Sequence, residues 1–254
     1  MAVDEAILRG VTEQTSPPTV RVFGWSRPAI TLGFAQRPES VLDILGCERD
    51  GIPFTRRPTG GRALYHDREI AYSVTGLVTD PQLGGDVLTT YRAIGRILRD
   101  ALIELGFDAV VSKTKPATTQ ASTGNPRPCF ASVSRYELTV SGRKVVGSSQ
   151  RRFRDAFLQQ GSILAGPGYE AICRYSAGES GDVHGGFLAS HAADLSTLRG
   201  GYIDEKDVSA ALHRAFFSVL NIADGELNEN ERNLSLILER EQYGSKGWVM
   251  HNAR

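Results

Sequence analysis

Residues 56–67 read Arg56-Arg57-Pro58-Thr59-Gly60-Gly61-Arg62-Ala63-Leu64-Tyr65-His66-Asp67, which gathers two adjacent glycines, three arginines and a His-Asp pair. Paired glycines allow a positive φ and let a ligand approach the backbone closely. Arginines beside them supply planar donors for carbonyl, carboxylate or phosphate oxygens. Cys129 stands in Pro126-Arg127-Pro128-Cys129-Phe130, where a long polar loop meets a strand. A loop can present such a side chain into a site, and a thiolate there is a nucleophile. Lys144 follows in Arg143-Lys144-Val145-Val146-Gly147-Ser148-Ser149-Gln150. On residue type alone, plainer readings stand beside these: a turn between two strands, a structural cysteine and an exposed strand lysine. No G-x-G-x-x-G follows a strand and no Gly-Lys-Ser/Thr closes a phosphate loop.

The flanks of the glycine run are distinctive. Val20-Arg21-Val22-Phe23-Gly24-Trp25 and Thr31-Leu32-Gly33-Phe34 precede it, and Arg68-Glu69-Ile70-Ala71-Tyr72-Ser73-Val74 follows it. Together they resemble the glycine-rich signature of the lipoate- and biotin-protein ligase superfamily. Cys129-Phe130-Ala131-Ser132 followed by Tyr136-Glu137-Leu138 is similar to the cysteine motif of its octanoyltransferase branch, with Val133 where relatives often carry proline. Residues 143–150 are similar to that branch's lysine motif. Lipoate-protein ligases typically have an Asn-Asp pair where this chain has Tyr136-Glu137, so the difference favours the transferases. The likeness runs from Met1 to about Val249. Met1 to Leu8 is similar to the family's first helix, which several more residues usually precede.

The resemblance implies an acyltransferase that takes octanoyl from octanoyl-acyl carrier protein onto Cys129 as a thioester. It then passes the chain to one lysine of a lipoyl-domain protein, the glycine cleavage H protein or an E2 subunit. This is two-step covalent catalysis within lipoyl cofactor synthesis in the cytoplasm. The donor thioester is already activated, so neither ATP nor a cofactor is expected. Lys144 is the expected cation that lowers the Cys129 pKa from the free value of about 8.5 and then moves protons. Arg57, Gly60, Gly61, Arg62, His66, Gly147 and Ser148 are the expected substrate-binding residues. Trp25, Phe34, Leu64 and Tyr72 are candidates to line the acyl tunnel. Rival readings are an ATP-dependent lipoate-protein ligase, an amidotransferase moving octanoyl from the H protein to E2, and an acyl-binding protein without catalysis.

Other candidates carry less. Neighbouring residues on a strand point to opposite faces, so a triad through His66 and Asp67 is set aside, and His66 is expected to line the pocket. His184 and His191 carry no motif and read as solvent-facing. Cys47 and Cys173 read as structural.

Bulk properties bound the class. The chain has 254 residues, 41% of them hydrophobic, ordinary for a soluble globular protein. Lys+Arg and Asp+Glu each number 29, so no basic excess points to nucleic acid. Arg56-Arg57-Arg62 and Arg151-Arg152-Arg154 remain candidate local basic patches. No apolar run has the length of a membrane span, and Asp4 and Glu5 do not suit a signal peptide. Three cysteines argue against a disulfide scaffold and fit a reducing compartment. No Cys-x-x-Cys or His-Glu-x-x-His spacing suggests a metal site. A monomer is expected.

The elements that must position these residues are legible in outline. Strands are predicted at 19–24, 29–34, 53–57, 69–75 and 156–164, and a hairpin at 136–140 and 143–147 turning on Ser141-Gly142. Helices are predicted at 38–50, 87–105, 204–220 and 227–240. Residues 112–128 read as a loop, and 176–190 as a glycine-rich mobile one. Mixed strands and helices without repeats predict a single α+β domain over 1–254. Its mixed, largely antiparallel sheet lies in a core at about 19–220, with a C-terminal helical segment at 221–254. The family resemblance implies the same ligase-like architecture.

Overall fold

The structure, a computed structural model, describes residues 1–112, 137–178 and 188–251. Cys129, Tyr136 and His184 lie outside the described residues, as do most of the predicted loops at 112–128 and 176–190.

Chain order runs α1 (Ala2–Thr12), β1 (Thr19–Phe23), β2 (Ala29–Leu32), α2 (Pro38–Val41), α3 (Ile44–Arg49), β3 (Phe54–Arg56), β4 (Leu64–His66), β5 (Glu69–Leu77) and α4 (Val87–Glu104). It continues with β6 (Ala109–Val111), β7 (Leu138–Val140), β8 (Arg143–Phe153), β9 (Ala156–Leu164), α5 (Leu195–Arg199), α6 (Glu205–Val219), α7 (Glu229–Leu238) and α8 (Lys246–His251). The main sheet has the order β1-β5-β9-β8-β7-β6 and is antiparallel at every described pairing. A smaller sheet, β3-β2-β4, pairs β2 parallel to β3 and antiparallel to β4. The α+β class with a mixed, largely antiparallel sheet is what the structure has.

The two faces of the main sheet differ in chemistry. Ile70, Tyr72, Val74, Phe157 and Ile163 pack with Ile94, Leu98 and Leu102 of α4 and with Val208, Leu212 and Phe216 of α6. Alternation puts Glu69, Ser73, Gln160 and Ser162 on the opposite face, and all four are buried. Helix α1 covers part of that face with Asp4, which accepts from Ser73 Oγ at 2.8 Å and Gln160 Nε2 at 2.6 Å and pairs with Arg21. Buried polar groups of this kind are tolerated because they are hydrogen-bonded.

Local chemistry explains the boundaries. Asp86 caps α4 by accepting from Thr89 N, and Gly106 ends it at φ +87. Ser141 and Gly142 both take positive φ, the two-residue turn that matches strand twist. One predicted helix, 38–50, is instead two. Asp43 accepts from Gly46 N and starts α3 afresh, while Leu42 is extended and bridges to Ser176. Strands β4 and β6 and helices α5 and α8 lie outside the elements predicted from the sequence. In α8, Trp248 packs with Ala6, Leu238 and Tyr243.

Candidate active site

Lys144 owes its direction to an irregularity. Leu138 pairs with Val146 while Thr139 pairs with Lys144, so β8 carries one extra residue, Val145. Val145 and Val146 both join the apolar core, and Lys144 returns to the polar face, the one Gly147 shares. There Lys144 is 1% exposed and donates Nζ to Glu137 Oε1 at 2.5 Å. The main chain of Ala193 donates to the Lys144 carbonyl at 3.0 Å. A surface lysine this is not.

Beside it lies a trough. Phe23, Ala71, Ser162 and Gly147 stand in register across β1, β5, β9 and β8, on one face. Three of the four are small, so they form a floor, and Phe23 closes it at the sheet edge. Three strand spacings make it about 14 Å long. Trp25, Thr31, Arg57, Leu64 and His66 add to the walls of the trough, which opens to solvent. Lys144 stands three residues before Gly147 on β8, at the end of the trough opposite Phe23 and Trp25. Each buried methylene contributes up to about 0.8 kcal/mol.

His66 belongs to a buried relay. Arg57 Nη1 donates to Thr31 Oγ1 at 3.1 Å, and Thr31 Oγ1 lies 2.6 Å from His66 Nε2. His66 Nδ1 lies 2.5 Å from Glu69 Oε1, and Ser162 Oγ donates to Glu69 Oε2. Thr31 donating to Nε2 and Nδ1–H donating to Glu69 satisfies every group. Trp25 stacks on the imidazole with centroids 4.1 Å apart, and its buried indole Nε1 has no hydrogen-bond partner. Asp67 takes no part. It lies beside Gly168, and burial raises its carboxyl above the ordinary range.

The glycine run is a framework piece. Arg57, 3% exposed, donates to the carbonyls of Gly60, Arg62 and Thr31. Arg56 donates to the carbonyls of Trp248 and Val249 and to those of Gly33, Phe34 and Gln36. Of the suggested patch Arg56-Arg57-Arg62, only Arg62 is exposed, because main-chain carbonyls consume the other two. Thr59 ties the run to the sheet by donating to Gln160 Oε1 at 2.8 Å and accepting from Ser149 Oγ at 2.9 Å. Gly61 sits at φ +92, and a Cβ there would lie 2.7 Å from Arg57 Nη2.

The predicted residues therefore divide. Gly147 floors the trough, Arg57 and His66 wall it, and Gly60 and Gly61 lie on the loop that Arg57 clamps. Ser148 borders the trough but turns its hydroxyl to the helix-covered face, 2.7 Å from Tyr72 Oη. The Tyr72 side chain points there too, and burial pushes its hydroxyl up to about 12. Phe34 is not in the trough; it packs with Trp248 and under the Arg151 guanidinium. His191 is half-buried rather than solvent-facing, with Nδ1 2.9 Å from Ser190 Oγ. Cys47 and Cys173 are buried, and burial pushes the Cys47 thiol up to about 11 and raises Cys173 as well. Sequence reasoning gave no role to Glu69, Thr31, Glu137 or Gln160. Glu69 has a readable signal, a carboxylate three residues past His66 across a turn.

Comparison with known proteins shows the family of the chain. Residues 1–217 match the family described as the lipoyl protein ligase A/B catalytic domain. The octanoyltransferase LipM of Carboxydothermus hydrogenoformans is 34% identical over 98% of this chain and 93% of its own length. That of Kyrpidia tusciae is 37% identical over 91% and 87%. Among solved structures, a bi-partite lipoate protein ligase from Thermoplasma acidophilum superposes with a TM-score of 0.79, covering 100% of this chain and 91% of that one, at 22% identity. With its fold shared by the ligases and its sequence aligned nearly end to end with the transferases, the chain belongs to the LipM octanoyltransferase branch of the lipoyl protein ligase A/B family.

Proposed function

We propose that this octanoyltransferase takes its acyl group from octanoyl-acyl carrier protein, holds it on Cys129, and delivers it to a lysine of a lipoyl-domain protein. The observation that carries the reading is Lys144, buried with a carboxylate on β8 three residues before Gly147, which lines an apolar trough, in a LipM-type chain.

The Cys129 thiolate attacks the carbonyl of the donor thioester. The carrier's carbon–sulfur bond breaks, its thiol leaves with a proton, and an enzyme thioester remains. The amine of the acceptor lysine then attacks that carbonyl, an amide forms, and the Cys129 sulfur leaves and is reprotonated. Lys144 stabilises the thiolate and carries the proton between amine and sulfur. The trough holds the chain, and the small side chains of Ala71, Ser162 and Gly147 leave room for it. The cytoplasm, with its reducing poise, suits a free catalytic thiol.

The test offers the purified chain octanoyl-carrier protein, then an H protein or E2 lipoyl domain, with and without ATP, and follows intact masses. Expected are one octanoyl added to the chain, its transfer to the acceptor, and indifference to ATP. Strict dependence on ATP and free acid would falsify the transferase reading. Delivery from octanoyl-H protein alone would move the chain to the amidotransferase reading.

A further inference from the structure

Glu69 is buried at the foot of the trough wall, where its two oxygens meet two different partners. One lies 2.5 Å from His66 Nδ1, and the other accepts from Ser162 Oγ. Thr31 engages the second ring nitrogen at 2.6 Å. Both nitrogens of His66 are thereby occupied, and the ring offers the trough only carbon and its π face. Trp25 lies flat on that face, 16° from parallel. Phe23 pairs with Ala71 on β1, and Trp25 follows two residues beyond it towards the Glu69 end of β5. Trp25 and His66 therefore sit at the β1 end of the trough, the end away from Lys144.

We propose that Glu69 is a positioning residue that sets which acyl chain lengths the trough accepts, by fixing the His66 ring on which Trp25 rests. The inference rests on the reading that the trough holds the acyl chain. With the carboxylate in place, the stacked pair is a rigid end wall. Without it, the ring loses one of its two in-plane bonds and the wall yields to longer chains. The amide of Glu69→Gln still accepts from Nδ1–H and donates to Ser162, so it keeps the wall. Glu69→Asp retains charge but withdraws the acceptor by one methylene.

The experiment measures binding of hexanoate, octanoate, decanoate and dodecanoate to the full chain by calorimetry, in the parent and in Glu69→Ala, Glu69→Asp and Glu69→Gln. The decanoate-to-octanoate affinity ratio is expected to rise at least tenfold in the alanine and aspartate variants and to stay within about twofold of the parent in the glutamine variant. The aspartate variant carries the test if the alanine variant does not fold, which its melting curve shows. A ratio equal in all proteins, or a parent that binds none of the four acids, overturns the proposal. A uniform loss of affinity at every chain length, with the ratio unchanged, also overturns it, because it marks a merely structural role. Acylation of the parent by octanoyl-carrier protein, followed alongside, reports separately on the transferase reading.

Discussion

Lys144 Nζ and Glu137 Oε1 lie 2.5 Å apart across the β7–β8 hairpin, and both residues are buried. Removing one partner strands the other's charge, which costs about 3–5 kcal/mol. Lys144→Ala should therefore lose both transfer and stability. The double variant Lys144→Met/Glu137→Gln should regain most of the stability in urea unfolding while still forming no amide product. Recovery of transfer in the double variant would leave Lys144 a structural residue only.

The same folded double variant tests the thiolate. Iodoacetamide should alkylate Cys129 of the parent at a pH below that of a free thiol, and the double variant only at higher pH. Superimposable pH–rate curves would confine Lys144 to proton transfer. Cys47 and Cys173 are buried and should react only on unfolding. Cys129→Ala should abolish the hydroxylamine-labile octanoyl adduct, and Cys47→Ala and Cys173→Ala should keep it.

Gly61 has φ +92 and no space for a Cβ beside Arg57 Nη2. A side chain there forces a backbone angle costing about 1–3 kcal/mol and displaces the Arg57 clamp. Gly61→Val is expected to fold with a lowered melting temperature and to slow Cys129 acylation at least tenfold. Parent-like acylation kinetics would make the run an ordinary turn.

Stability should fall in alkaline solution. Burial raises the Cys47 thiol from 9.0 to about 11, with Asp43 and Asp50 adding to the shift. Below pH 9.0 the thiol is protonated whether folded or not, and its contribution is whole. Above that the unfolded chain ionises first, so stability is lost as pH rises towards about 11. Buried Tyr72, raised to about 12, acts in the same direction. Urea midpoints between pH 8 and 11 should decline in the parent and decline less steeply in Cys47→Val. Equal slopes would show that this thiol contributes nothing.

Much of this was legible in the residues. Strand β9 has the predicted limits, and α4 starts and stops where Asp86 and Gly106 say it should, because periodicity and caps act locally. The split between α2 and α3 was not, since Asp43 competes with helix continuation through its own side chain. Lys144 and the glycine run could be named in advance, but the burial of Arg56 and Arg57 could not. Their partners are carbonyls far along the chain, and an arginine written beside glycines looks the same whether it faces a ligand or a backbone. Glu137 and Glu69 escaped for a related reason. Each acts on a residue already singled out, Glu137 across a hairpin whose bulge no spacing reveals and Glu69 from a spacing that is readable only once His66 is known to be buried.

Arg56 has a consequence for how the protein is made. Its guanidinium is held by the carbonyls of Trp248 and Val249, 192 and 193 positions away, and Trp248 Nε1 donates back to the Arg56 carbonyl at 3.0 Å. While synthesis has not reached these residues, Arg56 lacks two of its acceptors and the glycine run lacks part of its anchorage. A nascent chain that stops before Trp248 thus holds every described strand of both sheets, while the loop that Arg56 braces at Gly33, Phe34 and Gln36 still waits for its second support.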